Sequence, residues 1–372
     1  MKIMTNLATE NIVAGPLREK IDIIVLCSLH VLGLTIGMAL GLTAEWILFD
    51  GIEGGIISTA VITICSVFFG LILTTRYYCQ FTSQVLELFN INLIVAVHLI
   101  AIVGGSYYMI AHFAWQNIAL GVAMFIICGH GITAGYHRLF THRSYKTFPW
   151  IEKLLLIAAA ASVQGNVKQW LYDHHLHHGS DNRPSVVKDP YDIRRGLLYA
   201  HFGWLFWKRK LAPDNIILSQ SAAWQVKYYG WLMIGFGFGL PGLIAWLLWN
   251  DPLGGLMAGG FIRVVLEWHA TWCINSVAHK FGTNPFNRPD QSQNSFILCI
   301  VLLFLGEMWH NNHHEFPPDY RSGFSWWQFD STKWLIWTMS KFGLTWDLKK
   351  TPRWKIKRAL KRAKGQSLSL GC

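Results

Sequence analysis

WQNIALGVAMFIICGHGITAGYHRLFTH, residues 115–142, joins a long apolar run directly to a pair of histidines. A run of about 20 residues, at about 1.5 Å of rise per helical residue, matches the ~30 Å hydrocarbon core of a bilayer. The chain is 52% hydrophobic and 14% charged, whereas soluble domains have about 25% charged residues. The sequence therefore predicts an all-α integral membrane protein. Its six candidate spans lie near residues 23–44, 55–74, 91–113, 115–136, 228–249 and 253–274.

Histidine is concentrated in a few short segments. Nine of the 16 histidines lie in HRLFTH at 137–142, HHLHH at 174–178 and HNNHH at 310–314, and His279 stands apart. Neutral imidazole is a common ligand of iron, copper, nickel and zinc, and this many donors exceed what one four-coordinate ion uses. Two metal ions are therefore predicted. The spacing leaves the choice among these metals open.

Spacing within the clusters indicates which ligands point together. Histidines at positions i, i+3 and i+4 project from one face of a helix. His137 and His142 are five residues apart, about 140° around an ideal helix, so we place them where a span ends and the backbone can turn. The alternative for any single cluster is a solvated polar face. The i, i+3, i+4 spacing is shared by two trios: His174, His177 and His178, and His310, His313 and His314.

Other polar residues fall into two classes. Asn275 and His279 form an i, i+4 pair at the cytoplasmic end of the last span and are predicted to be a water holder and a metal ligand; the alternative is contact with lipid headgroups. Arg263 and Glu267, one turn apart inside a span, are predicted to form a neutralising pair, and His175 to lie on the surface. Predicted hydrogen-bonded packing residues are His30, His98, His112, His130 and His269.

The positive charges indicate orientation. Of the 32 Lys and Arg residues, 26 lie within 137–225 and 279–372, and none lies in the predicted outer connections near 45–54, 114 and 250–252. Because cytoplasmic loops are enriched in Lys and Arg, the histidine clusters and both termini are predicted to face the cytoplasm. The net charge of +11 follows from this bias and from an anionic inner leaflet, so no nucleic-acid partner is implied.

The histidine boxes resemble those of a known family. HRLFTH, HHLHH and HNNHH, in this order, are similar to the three histidine boxes of integral-membrane fatty acid desaturases, and more specifically of the acyl-CoA Delta-9 (stearoyl-CoA) desaturase group. The similarity covers about residues 90–340. It includes GITAGYHRLFTHRSYK at 131–146, DPYDIRRG at 189–196, HATWCINSVAHKFG at 269–282 and GEMWHNNHHEFP at 306–317.

The resemblance implies a di-iron enzyme of the bacterial inner membrane or the endoplasmic reticulum. It would use dioxygen and two electrons to insert a cis double bond, at carbon nine, into a long saturated acyl chain. The electrons would come from a separate donor of the cytochrome b5 or ferredoxin type with its reductase, and no catalytic residue beyond the metal ligands is implied. One iron would be held by His137, His142, His178 and His314, with Asn275 holding a water. The other would be held by His174, His177, His279, His310 and His313.

Substrate residues are predicted at two places. Phe125 and Gly129 share a face of the span that ends at the first box, and the family places a chain-length stop near there; ordinary span packing is the alternative. Trp272 is a candidate channel wall. Arg194 and Arg195 offer cations for the phosphates of a thioester carrier. The family usually has arginine at positions 172 and 175 and a shorter segment at 179–188, so both an acyl-CoA and a lipid-linked acyl substrate stay open.

Three regions are predicted along the chain. Residues 1–88 form an extension with two spans, which is interpreted first as a passive anchor. Residues 89–345 form a four-span desaturase domain with a cytoplasmic helical cap, and 346–372 a basic tail against lipid headgroups. The sequence has no P-loop motif, and its GxGxxG match, GFGLPG at 237–242, lies within a predicted span, so no domain for nicotinamide, flavin or haem is recognisable. The alternative functions are a lipid or hydrocarbon hydroxylase and, from another class, a metal transporter, whose ligands would lie within spans.

Overall fold

The computed structural model describes residues 88–180, 189–207, 210–296 and 305–369. The chain divides into two units, Met1–Ala96 and Val97–Cys372, and nearly all described residues belong to the second. The predicted spans 23–44 and 55–74 lie outside the described residues. The α-helices are α1 Leu88–Leu99, α2 Ser106–Ala111, α3 Trp115–His130, α4 Pro149–Ala161, α5 Val167–Ser180, α6 Leu197–His201, α7 Gln220–Ile234, α8 Leu240–Trp249, α9 Pro252–Gly255, α10 Arg263–Ser276, α11 His310–Glu315, α12 Ser331–Lys341 and α13 Arg353–Ser369.

Shorter elements connect these helices. Strands β1 (Lys146–Thr147) and β2 (Thr345–Trp346) pair in antiparallel register, with Lys146 opposite Trp346. The π-helical segments are Ile100–Gly105, Gly131–Thr141, Gly235–Gly239 and Leu256–Ile262, and the 3₁₀ segments are Ile193–Arg195, Gly203–Phe206 and Val277–His279. The π-helical segments continue neighbouring α-helices, so several of the α-helices form longer rods.

Three rods are long and apolar enough, by length and composition, to cross a bilayer. Within the described residues they are Asn90–Ala111, Trp115–Thr141 and Gln220–Trp249, with 22, 27 and 30 residues and mean hydropathies of 2.0, 1.8 and 1.8. They correspond to three of the four predicted core spans. The second runs five residues beyond its predicted end at 136 and so carries His137 within the helix. The described part of the chain is mostly helical and belongs to a membrane protein.

The predicted span 253–274 is also helical, from α9 through α10, but is not among these three rods. Charged Arg263 and Glu267 lower its mean hydropathy. The predicted pair is confirmed, because Arg263 Nη1 lies 3.1 Å from Glu267 Oε2 and the two residues are 1% and 3% exposed. Arg263 also donates to the carbonyls of Ala161 and Gly237, each at 2.7 Å. Its charge is therefore satisfied inside the helix bundle.

A polar junction joins the rods at the ends that lie away from the first histidine box. Asp251 caps α9, where Pro252 occupies the first turn, by accepting from the Gly254 N–H at 2.9 Å. The same carboxylate accepts from Tyr108 Oη at 2.6 Å and from Asn117 Nδ2 at 2.7 Å. Asn117 lies in the first turn of the second rod, whose other end carries the first histidine box. At about 1.5 Å per residue, the junction and the histidines lie about 30 Å apart along it.

Close packing of α4 positions the helix with the second box. An added Cβ at Gly131 would lie 2.3 Å from the backbone nitrogen of Ala159, so glycine lets α4 approach the second rod backbone to backbone. The hydroxyl of buried Tyr136 donates to the Gly165 carbonyl at 3.1 Å, just before α5. Gln225 Oε1 accepts from the Val167 N–H at 3.1 Å, the first residue of α5. These contacts fix where α5 begins.

Candidate metal centre

The first histidine pair lies on a widened helical turn. In the π-helical segment Gly131–Thr141 and just beyond it, the N–H of His142 donates to the His137 carbonyl at 3.0 Å. A π-helical turn closes over five residues, so the spacing that would separate the two rings on an ideal α-helix brings them together. Their centroids are 4.8 Å apart. The predicted backbone turn after the span is thus a local widening of the helix itself.

Eight histidines converge into two groups. In each group, one ring nitrogen of every member lies within 4.8 Å of those of the other members. His178 lies beside the first group, with its Nε2 3.1 Å from His174 Nε2 and 2.9 Å from His313 Nε2. Group A is His137, His142, His174 and His313, and group B is His177, His279, His310 and His314. The chain therefore brings together all nine predicted histidine ligands, from four segments.

The division between the groups differs from the implied one at three residues. His174 and His313 were expected with the second ion and His314 with the first, whereas each lies in the other group. The helical angle explains this. From His174, position i+4 lies about +40° around the helix and position i+3 about −60°. In the second box (174–178), His174 and His178 therefore point to group A and His177 points to group B. In the third box (310–314), His310 and His314 point to group B and His313 points to group A.

Outer hydrogen bonds fix which nitrogen faces inward. His177 Nδ1 lies 2.9 Å from an Asp189 oxygen, and His314 Nδ1 3.0 Å from Asp290 Oδ2. His279 Nδ1 donates to the Asp290 carbonyl at 3.1 Å. In a neutral imidazole, the nitrogen that does not donate carries a bare lone pair. Three rings of group B thus present lone pairs to a common point.

These inward nitrogens are closer than bare lone pairs tolerate. His177 Nε2 and His314 Nε2 are 3.2 Å apart although both rings donate through Nδ1. In group A, His137 Nδ1 lies 3.1 Å from Glu307 Oε2 while its Nε2 lies 3.0 Å from His313 Nε2. A cation between the rings removes this repulsion. Carboxylate partners behind metal-bound imidazoles are typical of metal centres, so the residues present fit metal ions in both groups.

A buried ion-pair network holds the group A side. The Arg138 guanidinium lies 2.8 Å from Glu307 Oε1 and 3.0 Å from Asp330 Oδ1. Burial acts to raise the pKa of Glu307, but Arg138 and His137 outweigh it and lower that pKa to about 2. Glu307 therefore stays ionised and keeps His137 oriented. Asp330 also caps α12 by accepting from the Lys333 N–H at 2.8 Å.

The imidazoles are held in their neutral form. Burial, followed by repulsion from neighbouring imidazoles, lowers the pKa of His279 to about 3. The same causes lower the pKa values of five further histidines well below their usual range: His142, His174, His178, His310 and His313. Because only the neutral ring offers a lone pair to a metal, these rings are ready to bind at neutral pH.

Asp290→Asn should weaken metal binding at group B selectively. Asp290 orients His314 through its carboxylate and His279 through its carbonyl, and also pairs with Arg288 at 2.7 Å. Loss of such an outer partner typically weakens metal affinity by about 10–100-fold. Competition with a chromogenic chelator should show one of two ions released at a lower chelator concentration. Asp319→Asn, which breaks an equally buried pair with Arg321 at 2.8 Å outside the histidine groups, should leave both affinities unchanged. Release of both ions together would contradict this assignment.

The metal-free chain should lose stability as pH falls below about 6.5. The buried histidines have lowered pKa values when folded, whereas histidine in an unfolded chain titrates near 6.5. The unfolded state therefore binds more protons in this range, and each such histidine costs up to about 1.4 kcal/mol per pH unit. Thermal melting in detergent at about pH 7.5, 6.5 and 5.5 measures this. A melting temperature that stays flat over these three points would show that the rings are solvated.

Other predicted residues lie around the groups. Asn275 is half-buried one turn before His279, and its side chain makes no hydrogen bond to a described residue. Trp272 is 5% exposed and lies in an aromatic cluster, stacking on Trp268 with centroids 5.7 Å apart. His98 and His269 in this cluster are hydrogen-bonded at 3.1 Å, as predicted for packing histidines. The cluster also contains His201, which sequence reasoning missed because it stands alone in the chain.

The predicted substrate residues have defined surroundings. Phe125 is buried on α3, and Gly129, one turn later, faces Leu305, whose Cδ1 would lie 2.6 Å from an added Cβ. Arg194 forms a forked pair with Asp192, in which Nε donates to Oδ1 and Nη2 to Oδ2, each at 2.8 Å. Arg195 lies over the Tyr199 ring, 3.6 Å from its centroid. Both arginines are therefore already engaged, and a phosphate would compete with Asp192 for Arg194.

Sequence reasoning also missed the carboxylates behind the ligands. Asp189 and Glu307 stand inside the segments quoted for the family resemblance, DPYDIRRG and GEMWHNNHHEFP. Glu307 lies three residues before His310, close enough for its proximity to a histidine box to suggest it. Asp290 lies 11 residues from His279. Its contacts with the ligands depend on the fold, so its position in the sequence does not suggest them. His130, predicted as structural, is hydrogen-bonded to the Ile126 carbonyl at 2.7 Å.

Comparison with known proteins adds independent support. A family model for fatty acid desaturases matches residues 113–349. Acyl-CoA desaturase 1 of Saccharomyces cerevisiae is 41% identical over 245 residues, which cover 64% of this chain and 47% of that protein. The chain thus spans about half the length of the yeast relative. Delta(9)-fatty-acid desaturase fat-7 of Caenorhabditis elegans is 33% identical over 271 residues, 70% of this chain and 78% of that protein.

The similarity also reaches a lipid-linked enzyme. The sn-1 stearoyl-lipid 9-desaturase of Anabaena variabilis is 32% identical over 249 residues, which cover 64% of this chain and 86% of that protein. The family model covers more than half of the chain, and its matched region contains every histidine of groups A and B. The chain belongs to the fatty acid desaturase family.

Proposed function

We propose that this chain is a di-iron desaturase that inserts a cis double bond, at carbon nine, into a long-chain saturated acyl group. One observation carries the proposal. The inward nitrogens of His177 and His314 lie only about 3 Å apart, although the outer nitrogen of each ring donates to a carboxylate. Membership of the fatty acid desaturase family supports an acyl chain as the substrate of this metal centre. The relatives named for Delta-9 desaturation support the position of the bond.

We propose iron, rather than structural zinc, as the metal of both groups. Two nitrogens bound at about 2.1 Å lie about 3.0 Å apart at a right angle and about 3.4 Å apart at a tetrahedral angle. The inward pairs His142–His174, His279–His310 and His310–His314 are each separated by 3.0 Å. Right-angled nitrogen ligands favour five- or six-coordinate metals with open positions over closed tetrahedral zinc. We propose that Asn275 holds a metal-bound water; its place one turn before His279 favours the ion of group B, whereas the family resemblance assigned this water to the ion of His137 and His142.

The bound irons would supply the capacity to reduce dioxygen and remove hydrogen from an unactivated C–H bond. The protein's own residues orient the ligand rings and exclude water from the site. Asp189, Asp290 and Glu307 hold the ligand rings in one tautomer, and neutral ligands leave the positive charge of the metals undiminished. Burial of both groups keeps bulk water from the reacting carbon atoms. No side chain has to act as a nucleophile.

The acyl carrier is either CoA or a membrane lipid. Relatives of both kinds match this chain, the acyl-CoA desaturase of Saccharomyces cerevisiae at 41% identity and the stearoyl-lipid desaturase of Anabaena variabilis at 32%. The Arg194–Asp192 fork favours the lipid-linked carrier, because a CoA phosphate would have to displace a carboxylate from Arg194. Assays with stearoyl-CoA and with stearoyl phospholipid in nanodiscs separate the two. Conversion of only one of them identifies the carrier.

We further propose that residues 89–345 form the desaturase domain, with four spans including 253–274, and that the histidine groups face the cytoplasm. The bias of Lys and Arg toward 137–225 and 279–372 supports this orientation. Residues 1–88 would anchor the chain through two further spans. Cysteine labelling of Lys350→Cys and Trp115→Cys, both at exposed positions, tests the orientation in intact cells, since only the second should react with an impermeant reagent.

Enlarging Gly129 should shorten the accepted acyl chain. Gly129 and Phe125 share a face of the rod that leads to group A, and Gly129 faces Leu305. If the distal end of the acyl chain reaches this face, a larger side chain removes space for terminal methylenes, each worth about 1–3 kcal/mol of discrimination. Gly129→Leu should therefore raise the ratio of 16-carbon to 18-carbon product at least about tenfold. Ile127→Phe, on the exposed side of the same helix, is the control, and an unchanged product ratio in Gly129→Leu would refute the stop.

Expression in a host that lacks unsaturated fatty acids tests the function itself. The chain should restore growth and yield fatty acids whose double bond mass spectrometry locates between carbons nine and ten. An added hydroxyl in place of a double bond would identify a hydroxylase with the same metal centre. Metal accumulation by cells without any lipid product would identify a transporter.

A further inference from the structure

We propose that the exposed basic face of α13 (Arg353–Ser369) docks an acidic one-electron carrier protein that reduces the metal centre; this inference rests on the proposed function. The chemical balance requires such a partner. R–CH₂–CH₂–R′ + O₂ + 2 e⁻ + 2 H⁺ gives R–CH=CH–R′ + 2 H₂O. Two of the four electrons that reduce dioxygen leave the acyl chain with its two hydrogens. The other two must come from two carrier molecules, each oxidised by one electron.

The charge on this helix is of one sign. Residues 349–364 contain nine Lys or Arg residues and no Asp or Glu. Lys357 and Lys361, four residues apart and therefore on one face, are both exposed, and neither forms an ion pair within the described part of the chain. An exposed field of one sign attracts a partner of the opposite sign and raises its rate of encounter.

The apolar side of α13 is already used. Ala359 and Ala363, four residues apart, are 8% and 4% exposed because they pack against the protein. A helix that binds a bilayer by insertion needs a free apolar face, and the described side chains of α13, residues 353–365, form no such face. Trp354, 59% exposed beside the basic residues, instead offers the aromatic anchor that protein interfaces favour. These features favour a protein partner over the lipid headgroups that the sequence analysis expected for this basic tail.

The position of α13 connects it to group B. Arg362 Nη2 lies 2.8 Å from Glu315 Oε1, and Glu315 directly follows the ligand His314. The same carboxylate lies 3.1 Å from Arg288, which lies 2.7 Å from Asp290 Oδ2. Asp290 closes the series by its 3.0 Å contact with His314 Nδ1. A carrier seated on α13 would thus lie next to the hydrogen-bonded shell of one metal ion.

Charge reversal on the exposed face tests the docking site. The iron-loaded full-length chain, in neutral detergent, is titrated with two oxidised probes, the soluble haem domain of cytochrome b5 and a plant-type ferredoxin. At about 20 mM salt, Lys357→Glu/Lys361→Glu should raise the Kd of at least one probe by tenfold or more, and the difference should vanish near about 500 mM salt. Iron content and melting temperature should match the unmodified chain.

The matched control is Lys153→Glu/Lys341→Glu, which reverses two exposed charges on α4 and α12. It should change either Kd less than twofold. The proposal is overturned if both variants bind alike, if the unmodified chain binds neither probe, or if the α13 variant loses iron. It is also overturned if that variant loses affinity only for phosphatidylglycerol vesicles, which would assign the helix to lipid. Since Kd is measured without turnover, failure of the desaturase proposal is seen separately in product analysis.

Discussion

The double variant His137→Ala/His313→Ala should retain one metal ion per chain, whereas His137→Ala/His314→Ala should retain none. The first removes two ligands of group A and leaves group B complete, while the second damages both groups. Either variant should lower turnover at least about a thousandfold, because loss of a metal removes several kcal/mol of transition-state stabilisation. Metal content by mass spectrometry, normalised to protein, separates the two cases.

The ligand division implied by family resemblance predicts the reverse pattern, since it assigns His137 and His314 to one ion and His313 to the other. The experiment therefore decides between the ligand division of groups A and B and the division implied by the family resemblance. His175→Ala is the control, because His175 lies on α5 among the ligands but is exposed. It should keep two ions and normal turnover. Retention of one ion by His137→Ala/His314→Ala would overturn the division of ligands into groups A and B.

Glu267→Gln should destabilise the protein by about 3–5 kcal/mol, because it leaves the buried Arg263 charge without its counter-ion. The pair is 3.1 Å apart and almost completely buried. The two carbonyls that Arg263 also contacts carry only partial charges and cannot replace the carboxylate. A loss of this size should lower the melting temperature in detergent by at least about 6 °C.

Asp214→Asn provides the matched control for this effect. Asp214 pairs with Lys168 at 2.9 Å, but its side chain is fully exposed to solvent. Solvent screens an exposed pair, which therefore contributes little to stability, so the melting temperature should stay within about 2 °C of the unmodified value. Equal shifts for Glu267→Gln and Asp214→Asn would show that burial of the Arg263–Glu267 pair contributes nothing.

Local periodicity predicted the parts of the site that depend on a single helix. The i, i+3, i+4 spacing placed each trio of box two and box three on one helical face, and the i, i+4 spacing of Arg263 and Glu267 predicted their ion pair. Both inferences require only an α-helix of ordinary pitch. The apolar runs likewise predicted three rods that the structure contains.

Features that depend on several segments could not be read from the sequence. The π-helical turn at His137 and His142 departs from the α-helical pitch on which the spacing argument relied. The crossing of ligands between the groups depends on how α5 and α11 face each other, which no single spacing encodes. Asp290 reaches His314 through a loop whose path is fixed by tertiary contacts. Long-range geometry therefore decides the division of ligands, while local pitch decides their clustering.

The central claim is that groups A and B each hold an iron ion. Anomalous diffraction at the iron absorption edge, from crystals of the iron-loaded chain, tests it most directly. Two peaks are predicted, one about 2.1 Å from the Nε2 atoms of His142, His174 and His313 and the other equally close to those of His177, His279 and His310. A single peak shared by the two groups, or peaks that appear only at the zinc edge, would contradict the account.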